Sequence, residues 1–521
     1  MSMADEPIDR KPMATACMTL ERRTLLKTGA LLAAGVASGA AFGKGGGLSY
    51  ADYAKLDAVG IAALIRSKQI SPSDALEAAI ARAEHVNKAL NAIVLPYYDM
   101  ARATVRSGLP EQGALRGVPL LLKDLGAQMK GTVTTNGSRL FRDATADHDS
   151  TLVQRYRNAG LVIFGKTASP EFGGTATTES ILWGKTHNPW NPKYSSGGSS
   201  GGAAVAVAAG IIPAAHASDG GGSIRIPSSH CGLFGLKPSR GRNPAGPDAL
   251  ESWLGLSVAH AITRSVRDSA LLLDISAGAE PGSRVIPNAP SSYLAALATP
   301  PQGLRIALLE TNPLGVPVHA ECKAALAKTA KLCEQLGHHV EPATLTLPVG
   351  PMMEGMGVIT GTGVLSLIRD RERALGRAAT AEDLEPITWG SYQNAQKFTA
   401  EQLFRARAAA DQVGRVFDEL LSRYDVILSP VTAGPPPLLG ALSLDQPYDS
   451  FVKNAVPASC FTSMYNIAGL PAMSVPLHWT ADNLPVGSMF GGRFGDELTL
   501  LRLAAQLEQA APWADRRPPL A

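Results

Sequence analysis

Along most of the chain, short continuous apolar runs alternate with segments whose apolar residues recur at helical spacing. Residues 56–87 carry a helical pattern. Within it, Ser71-Pro72-Ser73-Asp74 offers a capping serine, a first-turn proline and an acidic first turn ahead of ALEAAIARAEHV. Residues 91–95 (NAIVL) read as a strand and 100–106 as a short helix. LLL at 120–122 reads as a second strand, with Pro119 tolerable at its start. Residues 151–158 predict a helix and 161–164 a strand. AAVAVAAGIIPAAHA then reads as a buried helix, over 200–209, followed by a buried strand. Further on, helices are predicted over 267–278, 321–336 and 496–509, and most of 351–424 is helical. Strands are predicted over 305–309, 425–429, 473–477 and 486–491, and the Pro/Ser/Ala-rich stretch 281–302 reads as a surface connection. Helices alternating with short apolar strands predict an α/β protein whose sheet is covered on both faces. No repeat or linker interrupts 51–521, so that span reads as one large domain.

Composition narrows the function classes. The 521 residues are 45% hydrophobic and 18% charged, enough for a large core. A formal charge of +3, with no aromatic-basic stripe, argues against nucleic acid as a partner. The ten histidines are scattered, and neither HExxH nor a CxxC pair occurs, so no metal site and no cofactor are expected. The N-terminus differs from the rest. Glu21-Arg22-Arg23-Thr24-Leu25-Leu26-Lys27 precedes TGALLAAGVASGAAFG, which resembles a twin-arginine export signal over 1–43 with cleavage near Ala40. The apolar run is too short for a stable membrane span. A mobile linker is expected over 44–50, and a periplasmic location follows from the signal. Cys17 lies in that segment; Cys231, Cys322, Cys333 and Cys460 remain. Cys322 and Cys333 fall on one predicted helix, about 16 Å apart at 1.5 Å per residue, too far to bond to each other. Cys231 reads as a buried small hydrophobe.

The candidate chemistry lies between Ser195 and Lys237. Two glycine-serine clusters, Gly197-Gly198-Ser199-Ser200-Gly201-Gly202 and Asp219-Gly220-Gly221-Gly222-Ser223-Ile224-Arg225, flank the buried Ala/Val run. A flexible linker would not enclose such a run. Glycines leave backbone N–H groups uncovered. A serine directly after three of them can sit beside amide donors, as acyl transfer requires. Other motif matches lack their context. Residues 160–167 fit the phosphate-loop lettering, but the four residues between the glycines read as strand rather than loop. Gly197-Gly198-Ser199-Ser200-Gly201 fits the hydrolase elbow G-x-S-x-G without the hydrophobic strand that must precede it. Ser450-Phe-Val-Lys453 matches S-x-x-K without its partner motifs. A base is offered upstream, where GVPLLL leads into Lys123-Asp124. A lysine held in apolar surroundings has a lowered pKa and can serve as a neutral base.

Lys123 in LLKD, then GGSSGG, then DGGGSIRIPSSHCGLFGLKPSRG, together resemble the amidase signature family. The resemblance extends from about Ser71 to Glu508. THNPWNP, LKPSRGR, NAIVLP and GLPAMSVPLHWTADNLPVG are similar to its 6-aminohexanoate cyclic dimer hydrolase branch. The glycine-rich loop differs in detail from that branch, so the substrate does not carry over. The resemblance implies a central twisted mixed β-sheet with helices on both faces. It implies a Ser-Ser-Lys triad, with Ser223 as acyl-enzyme nucleophile, Ser199 as proton relay and Lys123 as base. It also implies a cis peptide at Gly198-Ser199 and an oxyanion hole from the backbone N–H groups of Gly220, Gly221, Gly222 and Ser223. Ser200, Asp219 and Arg225 are expected as supporting residues, with an Asp219–Arg225 pair holding the loop, and 351–424 is expected over the site. The expected reaction is hydrolysis of a non-peptide carboxamide. The expected partners are a small-molecule amide and water, and a homodimer is the assembly to test for. Two other functions fit the same residues: an amidotransferase subunit acting on a charged transfer RNA, against which export argues, and a non-catalytic binding protein, against which the complete triad argues.

Overall fold

The computed structural model of the chain describes residues 48–520. The predicted export signal, with Cys17, lies outside the described residues. The folded part begins earlier than the predicted end of the linker. Ser49 caps the helical turn Tyr50–Tyr53, and the Tyr50 hydroxyl donates to the Ala209 carbonyl at 3.4 Å.

The helical pattern over 56–87 is two helices, the second starting at the predicted Ser71 cap. Asp57 caps Ala58–Arg66, and Lys68 at φ +59° and Ser71 before Pro72 interrupt the path. Pro72–Leu90 then starts from a complete Ser71/Asp74 capping box and ends on Asn91 in the left-handed region at φ +51°. Because Asn91 is used as that cap, the first strand, β1, begins two residues later than predicted and runs Ile93–Pro96. β2 is Pro119–Lys123 and β3 is Val162–Thr167. β3 extends through Gly165-Lys166-Thr167, so the phosphate-loop lettering is buried strand.

These three strands form one sheet in the order β1-β3-β2, with β2 parallel to β3 and β1 antiparallel to it. β4 (Glu179–Ser180) and β5 (Gly184–Lys185) make a small hairpin. The large sheet has eight strands: β6 (Ala214–Asp219), β7 (Phe234–Lys237), β8 (Val258–Thr263), β9 (Arg305–Leu308), β10 (His339–Pro342), β11 (Val426–Pro430), β12 (Ala472–Trp479) and β13 (Pro485–Gly492). Their order is β10-β9-β11-β13-β12-β7-β8-β6. β10, β9 and β11 pair in parallel and the other neighbours antiparallel, which makes the sheet mixed, as the family resemblance implies. At its β6 edge the large sheet meets β2 through a side chain. The Lys123 N–H donates to His216 Nδ1 at 3.1 Å. Burial pushes the His216 pKa down to about 3, which keeps the ring neutral and that nitrogen able to accept.

Alternation along β9, β11 and β12 sends side chains to two cores, one on each face of the sheet. Ile306, Val426, Leu428 and Met473 face a core closed by helices Val266–Ser276, Ala320–Gln335 and Glu497–Ala510. Ala307, Ile427, Ala472 and Met489 face the opposite core, under helices Val349–Leu375, Ala400–Arg423 and Ser463–Ala468. Helices therefore cover both faces. Helix Gly201–Ala208 is buried on every side. Only small residues allow that: a methyl at Gly202 would come within 2.5 Å of the Ala168 nitrogen.

Cys231, Cys322, Cys333 and Cys460 are free and buried, and Cys322 and Cys333 share helix Ala320–Gln335 without bonding, as predicted. Burial pushes the thiols of Cys322, Cys333 and Cys460 up to about 12. Ser450 and Lys453 of the S-x-x-K match are exposed on helix Tyr448–Ser459, which the hydrophobic pattern did not indicate.

Candidate active site

β2 is buried along its whole length, so its final residue carries an amine into the interior. Lys123 has no solvent exposure. Its Nζ hydrogen-bonds Ser199 Oγ at 2.7 Å and Ser218 Oγ at 3.1 Å. Burial lowers its pKa to about 7, against the opposing pull of the Asp219 charge. Near neutral pH a large fraction of this lysine is therefore an uncharged amine, able to take a proton.

The first glycine cluster wraps around that amine. The Gly198–Ser199 peptide is cis. A methyl at Gly198 would fall 2.2 Å from the Thr177 carbonyl oxygen, so the backbone passes where no side chain fits. Gly201 N–H donates to Thr178 Oγ1 at 2.9 Å as the buried helix begins. Ser200 ties this cluster to β6 and to the second cluster. Its hydroxyl donates to the Ser218 carbonyl at 3.1 Å, and its N–H donates to the Ser223 carbonyl at 3.3 Å.

The second cluster is shaped by a buried ion pair. Arg225 Nε donates to Asp219 Oδ2 and Nη2 to Oδ1, each at 2.9 Å, with both side chains fully buried. Burial alone would raise the Asp219 carboxyl, but the charge and hydrogen bonds of Arg225 hold it well below the usual carboxylate range. Asp219 Oδ1 also accepts from Gly222 N–H at 2.8 Å, and Oδ2 from Ile224 N–H at 3.1 Å. These bonds bend the chain so that Ser223 stays partly exposed while its neighbours are buried. They also correct one expectation. The Gly222 amide is committed to Asp219, whereas the amides of Gly220, Gly221 and Ser223 have no hydrogen-bond partner among the described residues. Three of the four expected donors are therefore free to meet developing charge.

A buried lysine that titrates near neutrality, a serine bonded to it, and a second, partly exposed serine beside uncommitted amides is an arrangement suited to acyl transfer. Comparison with known proteins agrees. Residues 74–501 match the Amidase family model. The 6-aminohexanoate-cyclic-dimer hydrolase of Paenarthrobacter ureafaciens is 37% identical over 482 residues, covering 89% of this chain and 96% of that protein. The chain belongs to the amidase signature family. The solved structure of 6-aminohexanoate cyclic dimer hydrolase complexed with substrate superposes on this amidase with a TM-score of 0.83 at 35% identity, over 90% of this chain and 99% of that one. A bacterial aryl acylamidase of the same family superposes with a TM-score of 0.80 at 29% identity, over 88% of this chain and 98% of that one. Like its relatives, this amidase is a hydrolase of carbon–nitrogen bonds other than peptide bonds.

The amidase also uses residues that no local motif marks. Asn466 Nδ2 donates to the Asp219 carbonyl at 2.9 Å and its Oδ1 accepts from Arg225 Nη2 at 2.7 Å. Thr462 takes part twice: its hydroxyl donates to the Gly221 carbonyl at 2.6 Å and its carbonyl accepts from Arg225 Nη1 at 2.9 Å. Both come from around helix Ser463–Ala468, some 240 positions along the chain. Met356 on helix Val349–Leu375 reaches the site, its Cε 3.2 Å from a methyl placed on Gly221, so this one helix of the 351–424 region meets the glycine loop. By length and composition this helix could cross a membrane, yet Met352, Val358, Ile359 and Ile368 are buried inside the domain.

Proposed function

We propose that this amidase acts through an acyl-enzyme on Ser223, with Ser199 and Lys123 moving the proton. Ser223 Oγ attacks the amide carbon, its proton passes to Ser199, and the Ser199 proton passes to neutral Lys123. The carbonyl oxygen becomes an oxyanion facing the amides of Gly220, Gly221 and Ser223. Loss of one such donor typically costs about 3–4 kcal/mol in the barrier. On collapse, Lys123 returns the proton through Ser199 to the leaving nitrogen, the C–N bond breaks and the acyl group stays on Ser223. Water then repeats the attack and releases the acid. Ser200, Asp219 and Arg225 hold the two loops in register. The observation that carries this reading is the 2.7 Å contact between a fully buried Lys123 and Ser199.

The expected substrate is a small, non-peptide amide, and the activities of its cyclic-dimer hydrolase and aryl acylamidase relatives make cyclic and aryl amides the first to try. A panel of a cyclic diamide, a linear aliphatic amide and an aryl anilide tests it, with release of amine as the readout. Turnover of any member, abolished in Ser223→Ala with its circular dichroism unchanged, supports the reading. An active Ser223→Ala protein overturns it. The paired arginines Arg22-Arg23 ahead of an apolar run support export to a periplasm.

A further inference from the structure

We propose that Trp253 sets the size of the acyl group this amidase accepts, restricting it to compact, uncharged acyl chains; the proposal rests on the Ser223 acyl-enzyme reading. Trp253 opens a tight turn, Trp253–Gly255, in which it and Leu254 stand at φ +50° and +51°. Bulky residues rarely take that conformation, and here four hydrogen bonds hold it. Gly255 N–H donates to the Ser252 carbonyl at 3.0 Å and Leu256 N–H to the Trp253 carbonyl at 3.1 Å. From outside the turn, Arg407 Nη1 donates to the Leu254 carbonyl at 3.1 Å and Arg240 Nε to the Gly255 carbonyl at 3.0 Å.

The clamp fixes an indole that is only partly buried between two glycines. A methyl at Gly220 would meet indole Cζ3 at 2.7 Å, and a methyl at Gly363 would meet Cδ1 at 2.6 Å. The six-membered edge therefore lies on the loop that carries the open amides, and the five-membered edge lies on helix Val349–Leu375. Met356, about two turns earlier on that helix, meets the same loop at Gly221. Neither wall residue carries a charge. A different set of residues lies beside Ser199. A methyl at Gly173 would lie 3.0 Å from Ser199 Oγ and 2.9 Å from Leu125 Cδ2. Ser199 hands the proton to the leaving nitrogen, so the amine occupies the Leu125–Gly173 side. The acyl chain is left with the Trp253–Met356 side, where the indole limits its length.

The test uses alkylphosphonofluoridates with methyl, butyl and octyl chains and one common reporter. The Ser223 oxygen bonds to phosphorus, fluoride leaves, the serine proton passes to Lys123 through Ser199, and the alkyl chain takes the place of the acyl chain. The octyl-to-methyl ratio of labelling rates is expected to rise about tenfold or more in Trp253→Ala, because removing the ring opens room for several methylenes. It is expected to rise less in Trp253→Phe and to fall in Gly363→Ala, where the added methyl drives the indole toward the loop. Hydrolysis of acetyl amides differing only in the amine is expected to keep its order of preference in all three. Unchanged ratios in Gly363→Ala and in whichever tryptophan variant keeps the native circular dichroism overturn the proposal. A shift confined to the amine series overturns the assignment of the acyl side. A wild-type chain labelled by no member, or labelled equally in Ser223→Ala, fails the acyl-enzyme reading itself and the proposal with it.

Discussion

In the proposed mechanism Lys123 is the base, and its charge state is set by place rather than by type. An ordinary lysine titrates near 10.4 and would be almost wholly protonated at neutral pH. Here burial brings the pKa to about 7. The sign is then fixed: the base is the deprotonated form, so kcat/KM for an uncharged amide rises with pH through about 7 and levels off above. A pH–rate profile from 5 to 9 measures this, and a flat profile would remove Lys123 from the role of base. Lys123→Met keeps the length and the apolar stem but has no proton acceptor of comparable strength. It should lower kcat/KM by about 100- to 10,000-fold, the usual contribution of a positioned general base. Position 123 was legible in the sequence because five mainly apolar residues lead into it. Ser218, whose hydroxyl also contacts Nζ, was not, because a serine near the end of a strand carries no local signal.

Among the elements, the turn from Asp219 to Arg225 carries a large electrostatic load. A fully buried ion pair is costly to assemble, and costly to break from one side, because the surviving charge is left without a partner. Asp219→Asn keeps the shape and an acceptor but leaves the Arg225 guanidinium uncompensated. The expected loss is about 3–5 kcal/mol of stability, read from urea unfolding midpoints, with loss of Ser223 labelling because the loop loses its anchor. Asp219→Asn combined with Arg225→Met should recover part of the stability and none of the labelling. An Asp219→Asn protein with an unchanged midpoint would show that the pair does not hold the loop. The pairing was foreseen from six-residue proximity within one motif. The role of Asn466 was not, since it joins Asp219 and Arg225 from near the other end of the chain.

For the whole molecule, the N-terminal arginine pair makes a prediction that the folded domain does not. A twin-arginine signal is read as a folded protein is exported. Replacing Arg22 and Arg23 together by lysine should move amidase activity from the periplasmic fraction to the cytoplasmic fraction of an expressing bacterium, with total activity little changed. Activity that stays periplasmic in that variant would refute a twin-arginine signal.

The amino-acid order determined whatever depends on neighbours within a few residues. The Ser71 capping box, the strand leading to Lys123, the small-residue helix 201–208 and the two glycine clusters all follow from local spacing and steric size. Motifs specific enough to imply a family added the cis Gly198–Ser199 peptide and the pairing of Lys123 with Ser199. The tertiary structure decided what depends on distant segments meeting. It joined β2 to β6 through the His216 ring. It committed the Gly222 amide to Asp219, leaving three open donors where the family resemblance implied four. It also laid Trp253 between Gly220 and Gly363. Each of these rests on a hydrogen bond or a van der Waals contact, which act over a few ångströms in space whatever the separation along the chain.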